Sequence, residues 1–293
     1  MIIDEGLDWK EIDTLIGRAL EEDIRDGDVT TDAIVTRTVR GMGHVVLKQD
    51  GVIAGLPVFF RVFEILDPEV QCESCTEDGS AVAAGSELGT VRGSVHSLLR
   101  AERTALNFLQ RLSGIATLTR AYVDAVEGTG VGILDTRKTT PNLRILEKYA
   151  VRMGGGVNHR FGLYDMALIK NNHIDSAGGL SEAVERCLSY LKRRGLDLNV
   201  EVEARSLSEV GGALRHPVQR IMLDNMKSDE MRDAVRMISG RAETEASGGI
   251  RLDNVRSIAE TGVNFVSVGA LTHSAPALDI SFRVESTQQG GMR

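Results

Sequence analysis

The sequence predicts an α/β protein, an incomplete and open β/α barrel of the TIM type preceded by an N-terminal α+β sandwich domain. Three observations carry this. After residue 130, short apolar runs alternate with amphipathic helical stretches, the pattern of parallel βα units. Before it the order is mixed, with a helix, several short strand-like runs and another helix. A chain of 293 residues also exceeds the common size of one domain, so it holds either one elaborated barrel or two domains. The expected division is an N-terminal domain over 1–112 and a barrel over 113–274, with 275–293 packing back on the first domain.

Each element has a local reason. Asp8 is placed to cap a first helix, Glu11 stands at the capping-box position, and Ile12, Leu15, Ile16, Ala19 and Leu20 form one apolar stripe. Polar, turn-rich sequence from Glu21 to Asp32 ends that helix. Strand-like runs come next at 44–48 and 52–54, then a helix over 57–66, then strand-like segments through 81–91 broken by Gly85 and Gly89. From Val95 to Ala125 the pattern is helical, with Leu98, Leu99, Leu106, Leu109 and Leu112 on the apolar side. Ser113-Gly114 predicts a break there, and the whole stretch reads as a linker between domains. Barrel strands are expected at 132–134, 167–169, 198–202, 220–223, 243–246 and 264–268.

Composition narrows the class. The hydrophobic fraction of 42% and charged fraction of 26%, with near-zero mean hydropathy, are those of a soluble globular protein. The net charge of -8 argues against nucleic acid as a partner, since phosphate-backbone binding needs a basic surface. No run approaches the roughly 20 apolar residues of a membrane span, and the acidic start lacks the features of a signal peptide. Cys72, Cys75 and Cys187 are too few and odd in number for a disulfide framework, which points to the cytoplasm. Cys72 and Cys75 form a C-x-x-C, but no second pair or histidine stands beyond it at metal spacing. Local charge differs from the total: between Asp135 and His173 there are seven Lys or Arg against three acids. A basic pocket in an acidic protein suits a small anion.

The residues just past each expected strand carry chemistry: Asp135-Thr136-Arg137-Lys138, then Lys170-Asn171-Asn172-His173, Glu203, Asp224-Asn225, Ser247-Gly248-Gly249, and Gly269-Ala270. In a β/α barrel the strand C-termini converge on one face, where ligands bind. Ser247-Gly248-Gly249, ahead of a helix expected from Leu252, and Gly269 after the next strand predict a phosphate cradle and hence a phosphosugar. Arg137, Lys138, His159, Arg160 and Lys170 supply more positive charge than one phosphate needs, and arginine's planar fork matches carboxylates. Two anionic groups are expected. Glu203 and Asp224 close consecutive strands and offer hard oxygens to magnesium or sugar hydroxyls, or ion pairs to the neighbouring basic residues.

Together these residues form longer motifs: LDTRKTTP (134–141) with Leu143-Arg144, GGVNHR (155–160), LYD (163–165), LIKNNH (168–173), Val202-Glu203, LDN (223–225), EASGGI (245–250) and SVGALTH (267–273). Upstream stand Glu22-Asp23, GDVTT (27–31), GVIAG (51–55) and RAERTALN (100–107). In this order, over essentially the whole chain, the set resembles the quinolinate phosphoribosyltransferase family. One departure is Pro141-Asn142, where relatives commonly carry glycine after the proline; asparagine tolerates the left-handed backbone such a turn needs.

The resemblance implies phosphoribosyl transfer from phosphoribosyl pyrophosphate to quinolinate with decarboxylation, giving nicotinate mononucleotide, CO2 and pyrophosphate on the way to NAD. It implies an oligomer, at least a homodimer, with Arg103 donated across the interface. Arg137, His159, Arg160 and Lys170 would join Arg103 around quinolinate, and Lys138 would stand near pyrophosphate. Thr139, Ser247, Gly248, Gly249, Gly269, Ala270 and Leu271 would hold phosphate or ribose, and Glu203 and Asp224 would serve Mg²⁺, directly or through water. Lys138, Lys170, Glu203 and Asp224 are the expected catalytic residues, and no organic cofactor is expected. The alternatives are a related transferase for another base (a molybdenum-associated homologue or a nicotinate enzyme), a barrel aldolase with Lys170 as Schiff-base lysine, and a phosphosugar-binding regulator without catalysis.

Overall fold

The computed structural model describes residues 7–286. In chain order its elements are α1 (Trp9–Ile24), α2 (Val29–Ile34), β1 (Arg40–Leu47), β2 (Gly51–Val52), α3 (Leu56–Leu66), β3 (Gln71–Ser74), β4 (Ala81–Val82), β5 (Glu87–Ser94), α4 (Val95–Ala125) and β6 (Gly132–Leu134). Next come α5 (Arg144–Met153), β7 (Ala167–Ile169), α6 (Asn171–Ala177), α7 (Leu180–Arg194), β8 (Val200–Ala204), α8 (Leu207–Ala213), β9 (Arg220–Asp224), α9 (Ser228–Ile238), β10 (Glu243–Ser247), α10 (Val255–Ala259), β11 (Phe265–Ser267), α11 (Ala270–His273) and β12 (Ile280–Ser286). The chain forms two compact units, and their boundary is not a single cut. The first takes in the described residues up to Leu118, then Thr140–Gly155 and the described residues from Ala275 onward; the second is Thr119–Thr139 with Gly156–Ser274. Residues 287–293 of the expected C-terminal return lie outside the described residues.

In the first unit an antiparallel sheet runs β12-β1-β5-β3. Asp8 accepts from the Lys10 and Glu11 amides and starts α1, whose Ile12, Ile16 and Leu20 are buried. The stretch read as turns from Glu21 to Asp32 holds the start of α2, begun by Asp28, which accepts from the amides of Thr30 and Thr31. A helix this short has no apolar stripe to reveal it, and only its cap is visible in sequence. The core gathers on α3, where Phe59 and Phe63 lie 6.1 and 5.3 Å from the Phe282 ring of β12. Gly43 on β1 makes room for that ring, since a Cβ there would stand 1.9 Å from Phe282 Cζ.

The break expected at Ser113-Gly114 does not occur, because α4 runs unbroken from Val95 to Ala125. Both residues are there for close packing. Ser113 Oγ accepts from the Ala54 amide at 3.1 Å, and a Cβ on Gly114 would lie 2.0 Å from the Pro276 carbonyl oxygen. The small residues let other backbone approach the helix and do not interrupt its hydrogen bonds.

In the second unit six strands form one wholly parallel sheet in the order β6-β11-β10-β9-β8-β7. The strands consecutive in sequence are neighbours except β6 and β7, which are the two edges, so the barrel is open between them. The residues that would join those edges, 140–155, belong to the first unit. This explains why the basic run of the sequence divides: Arg144, Lys148 and Arg152 leave with α5, while Arg137, Lys138, Arg160 and Lys170 stay with the barrel.

Candidate active site

Because every strand of the barrel sheet points the same way, the residues after β6, β7, β8, β9, β10 and β11 emerge at one end. Register refines this. Glu203 aligns with Met222 and Met222 with Glu245, while Asp224 aligns with Ser247. Side chains alternate along a strand, so Glu201, Glu203, Asp224, Glu245 and Ser247 share one face of the sheet. The cationic, acidic and glycine-rich groups of the barrel therefore meet at a single mouth.

The cationic part lies just past β6 and β7. Asp135 is fully buried and is a structural anchor: its carboxylate accepts from Asn158 Nδ2 at 2.6 Å and from the His159 amide at 2.9 Å. That ties the 157–160 segment beside β6, where Val157 bridges to Leu134. Half-buried Arg160 donates to the Met166 carbonyl at 3.1 Å. Burial, and then the nearby Arg137 guanidinium, hold Arg160 below its ordinary pKa. Two guanidinium groups held close together make a site that an anion stabilises.

The His159 ring faces the glutamates inside the barrel. Its Nδ1 accepts from the Arg160 amide at 2.7 Å, and its Nε2 lies 3.1 Å from Glu201 Oε2 and 3.3 Å from Glu245 Oε2. Both carboxylates are fully buried. Their ligand atoms and the imidazole nitrogen lie within 4.8 Å of one another, a grouping that could hold a divalent cation. An Nδ1 that accepts a hydrogen bond carries no proton, which assigns the ring proton to Nε2, between the carboxylates. Burial opposes charge on the ring, but the two glutamates outweigh it and push His159 up to about 9. Burial pushes the Glu201 carboxyl up, so a proton taken up by this cluster is shared by Nε2 and the glutamates, and Nδ1 stays an acceptor. Glu245 is burdened by burial too, yet the His159 contact turns it down, and Arg220 Nη1 stands 3.3 Å away as a second partner.

The acidic part lies on β8 and β9. Glu203, 8% exposed, accepts from Asn171 Nδ2 at 2.6 Å and pairs with Lys170 Nζ at 3.5 Å. Asp224 is half-buried and accepts from Asn225 Nδ2 at 3.0 Å. Carboxylate oxygens on adjacent strands at an open mouth are donors of the kind that Mg²⁺ prefers, so the residues fit that ion.

The glycine part closes the ring. Gly248 and Gly249 have φ of +95° and +63°, and a Cβ on Gly248 would stand 2.2 Å from Asn225 Oδ1, whereas one on Gly249 would meet nothing. The expected helix after this turn starts at Val255 and has five residues. It is too short and too far along the chain to present its N-terminus to a phosphate, so the turn's own amides are the available donors. A Cβ on Gly269 would meet Lys138 Cδ at 2.9 Å and His273 Nε2 at 3.2 Å, and Thr272 Oγ1 donates to the Lys138 carbonyl at 2.8 Å. Lys138 is thus fixed beside Gly269, which the neighbouring positions of β6 and β11 require. Thr139 is half-buried there. Ala270 opens α11, and Leu271 is fully buried, so it can offer a ligand only backbone. Arg103 is exposed on α4 in the first unit. Asn142, at φ +66°, takes the left-handed backbone expected of it.

Sequence reasoning gave no role to Glu201, Glu245 and Arg220. A signal was present for one of them: in Val200-Glu-Val-Glu203 the glutamates alternate with valines, so both share a face, and one of them must lie deeper in the barrel than the strand end.

An open parallel barrel with its charged groups and glycine turns at the strand C-termini defines a barrel enzyme for anionic, phosphate-bearing substrates. Comparison with known proteins narrows the class. Residues 28–113 match the model for the quinolinate phosphoribosyl transferase N-terminal domain, and residues 115–283 match that for the C-terminal domain. The chain is 44% identical over 288 residues to quinolinate phosphoribosyltransferase [decarboxylating] 1b of Nicotiana tabacum, covering 93% of this chain and 82% of that one. It is 43% identical over 279 residues to the probable nicotinate-nucleotide pyrophosphorylase [carboxylating] of Synechocystis, covering 94% and 93%. The crystal structure of NadC from Streptococcus pyogenes superposes with a TM-score of 0.92 at 41% identity, covering 96% of this chain and 99% of that chain. The chain belongs to the quinolinate phosphoribosyltransferase family.

Proposed function

We propose that the barrel mouth is where the family's reaction takes place, with Arg137, Arg160 and Lys170 binding quinolinate, Lys138 and the glycine turns binding the phosphates, and Glu203 and Asp224 facing ribose. The protein is a decarboxylating phosphoribosyltransferase that makes nicotinate mononucleotide from quinolinate and phosphoribosyl pyrophosphate in NAD biosynthesis. The observation that carries the assignment of residues is the single mouth shared by paired guanidiniums, a carboxylate pair and two glycine turns.

The chemistry is set by the groups these residues can hold. Breaking the bond from C1′ to pyrophosphate puts negative charge on the leaving group, and Lys138, fixed beside Gly269, is positioned to take it up. The quinolinate nitrogen forms the new bond to C1′, and the guanidiniums and Lys170 orient the ring for that attack by holding its carboxylates. The ribosylated nitrogen is then positive. The electron pair released when the carboxylate next to it leaves as CO2 stays on that ring carbon, stabilised by the adjacent positive nitrogen, and then takes a proton from solvent. The substrate is its own electron sink, so no organic cofactor is needed. Bound Mg²⁺, held by Glu203 and Asp224, would neutralise charge on the pyrophosphate.

A Schiff-base role for Lys170 is disfavoured by its surroundings. Its side chain is 51% exposed and paired with Glu203, whereas a nucleophilic lysine needs desolvation or a cationic neighbour. The expected site is completed by Arg103 of a second copy in a homodimer. Support comes from Arg103's exposure on α4 and from Leu163 and Tyr164, 72% and 71% exposed in the loop after Arg160. We place the protein in the cytoplasm on its free cysteines; no helix among the described residues is long and apolar enough to cross a membrane.

The test is to incubate the protein with quinolinate, phosphoribosyl pyrophosphate and Mg²⁺ and to measure CO2 and nicotinate mononucleotide. Arg103→Ala and Lys138→Ala are each expected to be nearly inactive, and mixing and re-equilibrating the two should restore part of the activity through mixed dimers. Turnover of nicotinate in place of quinolinate would overturn the dicarboxylate assignment. Failure of the mixture to recover would overturn the donation of Arg103.

A further inference from the structure

We propose that Glu245 is a positioning residue for quinolinate binding, acting through the His159 imidazole on Arg160. The inference rests on the assignment of Arg160 to the substrate carboxylates, and it changes the expected role of His159 from ligand to support.

The geometry leaves the ring no free nitrogen for a ligand. Nδ1 accepts from the Arg160 amide at 2.7 Å, and Nε2 faces Glu201 and Glu245 at 3.1 and 3.3 Å. The Nε2 edge thus faces the buried carboxylates inside the barrel, and the Nδ1 edge holds the backbone of the next residue. Beneath it the support continues. Glu245 pairs with Arg220 Nη1 at 3.3 Å, Arg220 Nη2 pairs with Glu243 at 2.9 Å, and the guanidinium carbon lies 4.4 Å from the centre of the Phe265 ring. A rigid stack therefore rises from Arg220, at the start of β9, through Glu245 and His159 to the Arg160 amide. From the other side, Asp135 holds the His159 amide and the Asn158 side chain. The far end of Arg160 is held by the Met166 carbonyl.

This arrangement solves a problem set by the substrate. Two carboxylates on adjacent carbons of a flat ring demand guanidiniums in a fixed mutual orientation, and Arg137 and Arg160 repel each other before the anion arrives. Buried carboxylates directly below offset that repulsion, and a locked imidazole fixes where the Arg160 side chain leaves the backbone. Barrel interiors are ordinarily filled by layers of branched apolar side chains, and a polar stack in that place carries a desolvation cost that a purely structural layer would not need.

Steady-state kinetics of isosteric variants test this. Glu245→Gln keeps the shape and removes the charge that orients His159, so KM for quinolinate should rise about 10-fold or more, as expected when a reacting group is misplaced by a fraction of an ångström. KM for phosphoribosyl pyrophosphate should stay within about twofold, since that substrate is held by other groups. His159→Asn retains an acceptor near the Nδ1 position, and His159→Gln reaches toward the Nε2 position instead. Asn should therefore preserve quinolinate binding better than Gln, and a His159 that bound substrate through Nε2 would give the reverse order. Equal rises in both KM values, no rise in either, or the reverse order would overturn the proposal. If Glu245→Gln does not fold, the double variant Arg220→Gln/Glu245→Gln, which removes both partners, is read by the same KM split. If that also fails, the order of the two His159 variants decides. A wild-type protein that released no CO2 from quinolinate would instead refute the assigned reaction, whatever Glu245 does.

Discussion

Glu147 offers a sharp test of how the first unit holds its Thr140 segment. It lies on α5, is fully buried, and accepts from Arg111 Nε at 3.1 Å and Nη2 at 2.8 Å. It also accepts from the Thr140 amide at 3.0 Å and the Thr140 hydroxyl at 2.7 Å. Replacement by alanine removes the acceptor of all four bonds and leaves Arg111, 27% exposed, with the Ala275 carbonyl at 3.1 Å. Breaking a buried pair from one side costs about 3–5 kcal/mol. Arg111's partial access to water and the exposure of Thr140 place the expected loss at the lower end, about 3 kcal/mol. Glu147→Gln keeps one carbonyl acceptor and should lose about half of that, on the order of 1–2 kcal/mol. Urea unfolding measures the loss, and thermal unfolding should fall by about 5 °C for the alanine variant. Because Thr140 comes directly after Lys138 and Thr139, KM for phosphoribosyl pyrophosphate should rise as well. A loss below about 1 kcal/mol, or equal losses for Ala and Gln, would refute the claim that the charged pair anchors this segment.

The same geometry sets further expectations. Gly248→Ala meets both a φ of +95° and Asn225 Oδ1 at 2.2 Å; KM for phosphoribosyl pyrophosphate should rise at least about 10-fold through strain and misplaced amides. Asn225→Ala added to it should recover only part of the loss, and full recovery would show that the clash alone matters. Gly114→Ala drives a Cβ to 2.0 Å from the Pro276 carbonyl oxygen and should cost about 1–3 kcal/mol by overpacking, despite alanine's better helix propensity; a stabilised variant in denaturant unfolding would contradict this. The proton held between His159 and Glu201 links stability to pH. With His159 raised from 6.5 to about 9, the folded state binds a proton that the unfolded chain gives up first. Its contribution is full below about pH 6.5 and is lost as pH rises through about 9, by at most about 3.5 kcal/mol. An unfolding free energy that stays flat across that window would rule it out.

The sequence by itself determined the first helix, the order of the barrel strands and the strand ends at which chemistry collects, because alternation, apolar runs and turn residues are local properties. It marked Asp8 as a helix cap for the same reason, whereas the left-handed backbone of Asn142 was expected from the glycine that relatives carry there. Tertiary structure decided whatever depends on distant chain. Gly114 looks like a helix break, but it serves the Pro276 backbone, far away in sequence. The basic run from Arg137 to Lys170 looks continuous, yet α5 takes Arg144, Lys148 and Arg152 into the other unit. His159 carries the same residue type whatever it touches, and the buried glutamates from β8 and β10 that face its ring come from distant chain. A side chain's chemistry is written in its own letter, whereas its partner is chosen by packing, which no local pattern records.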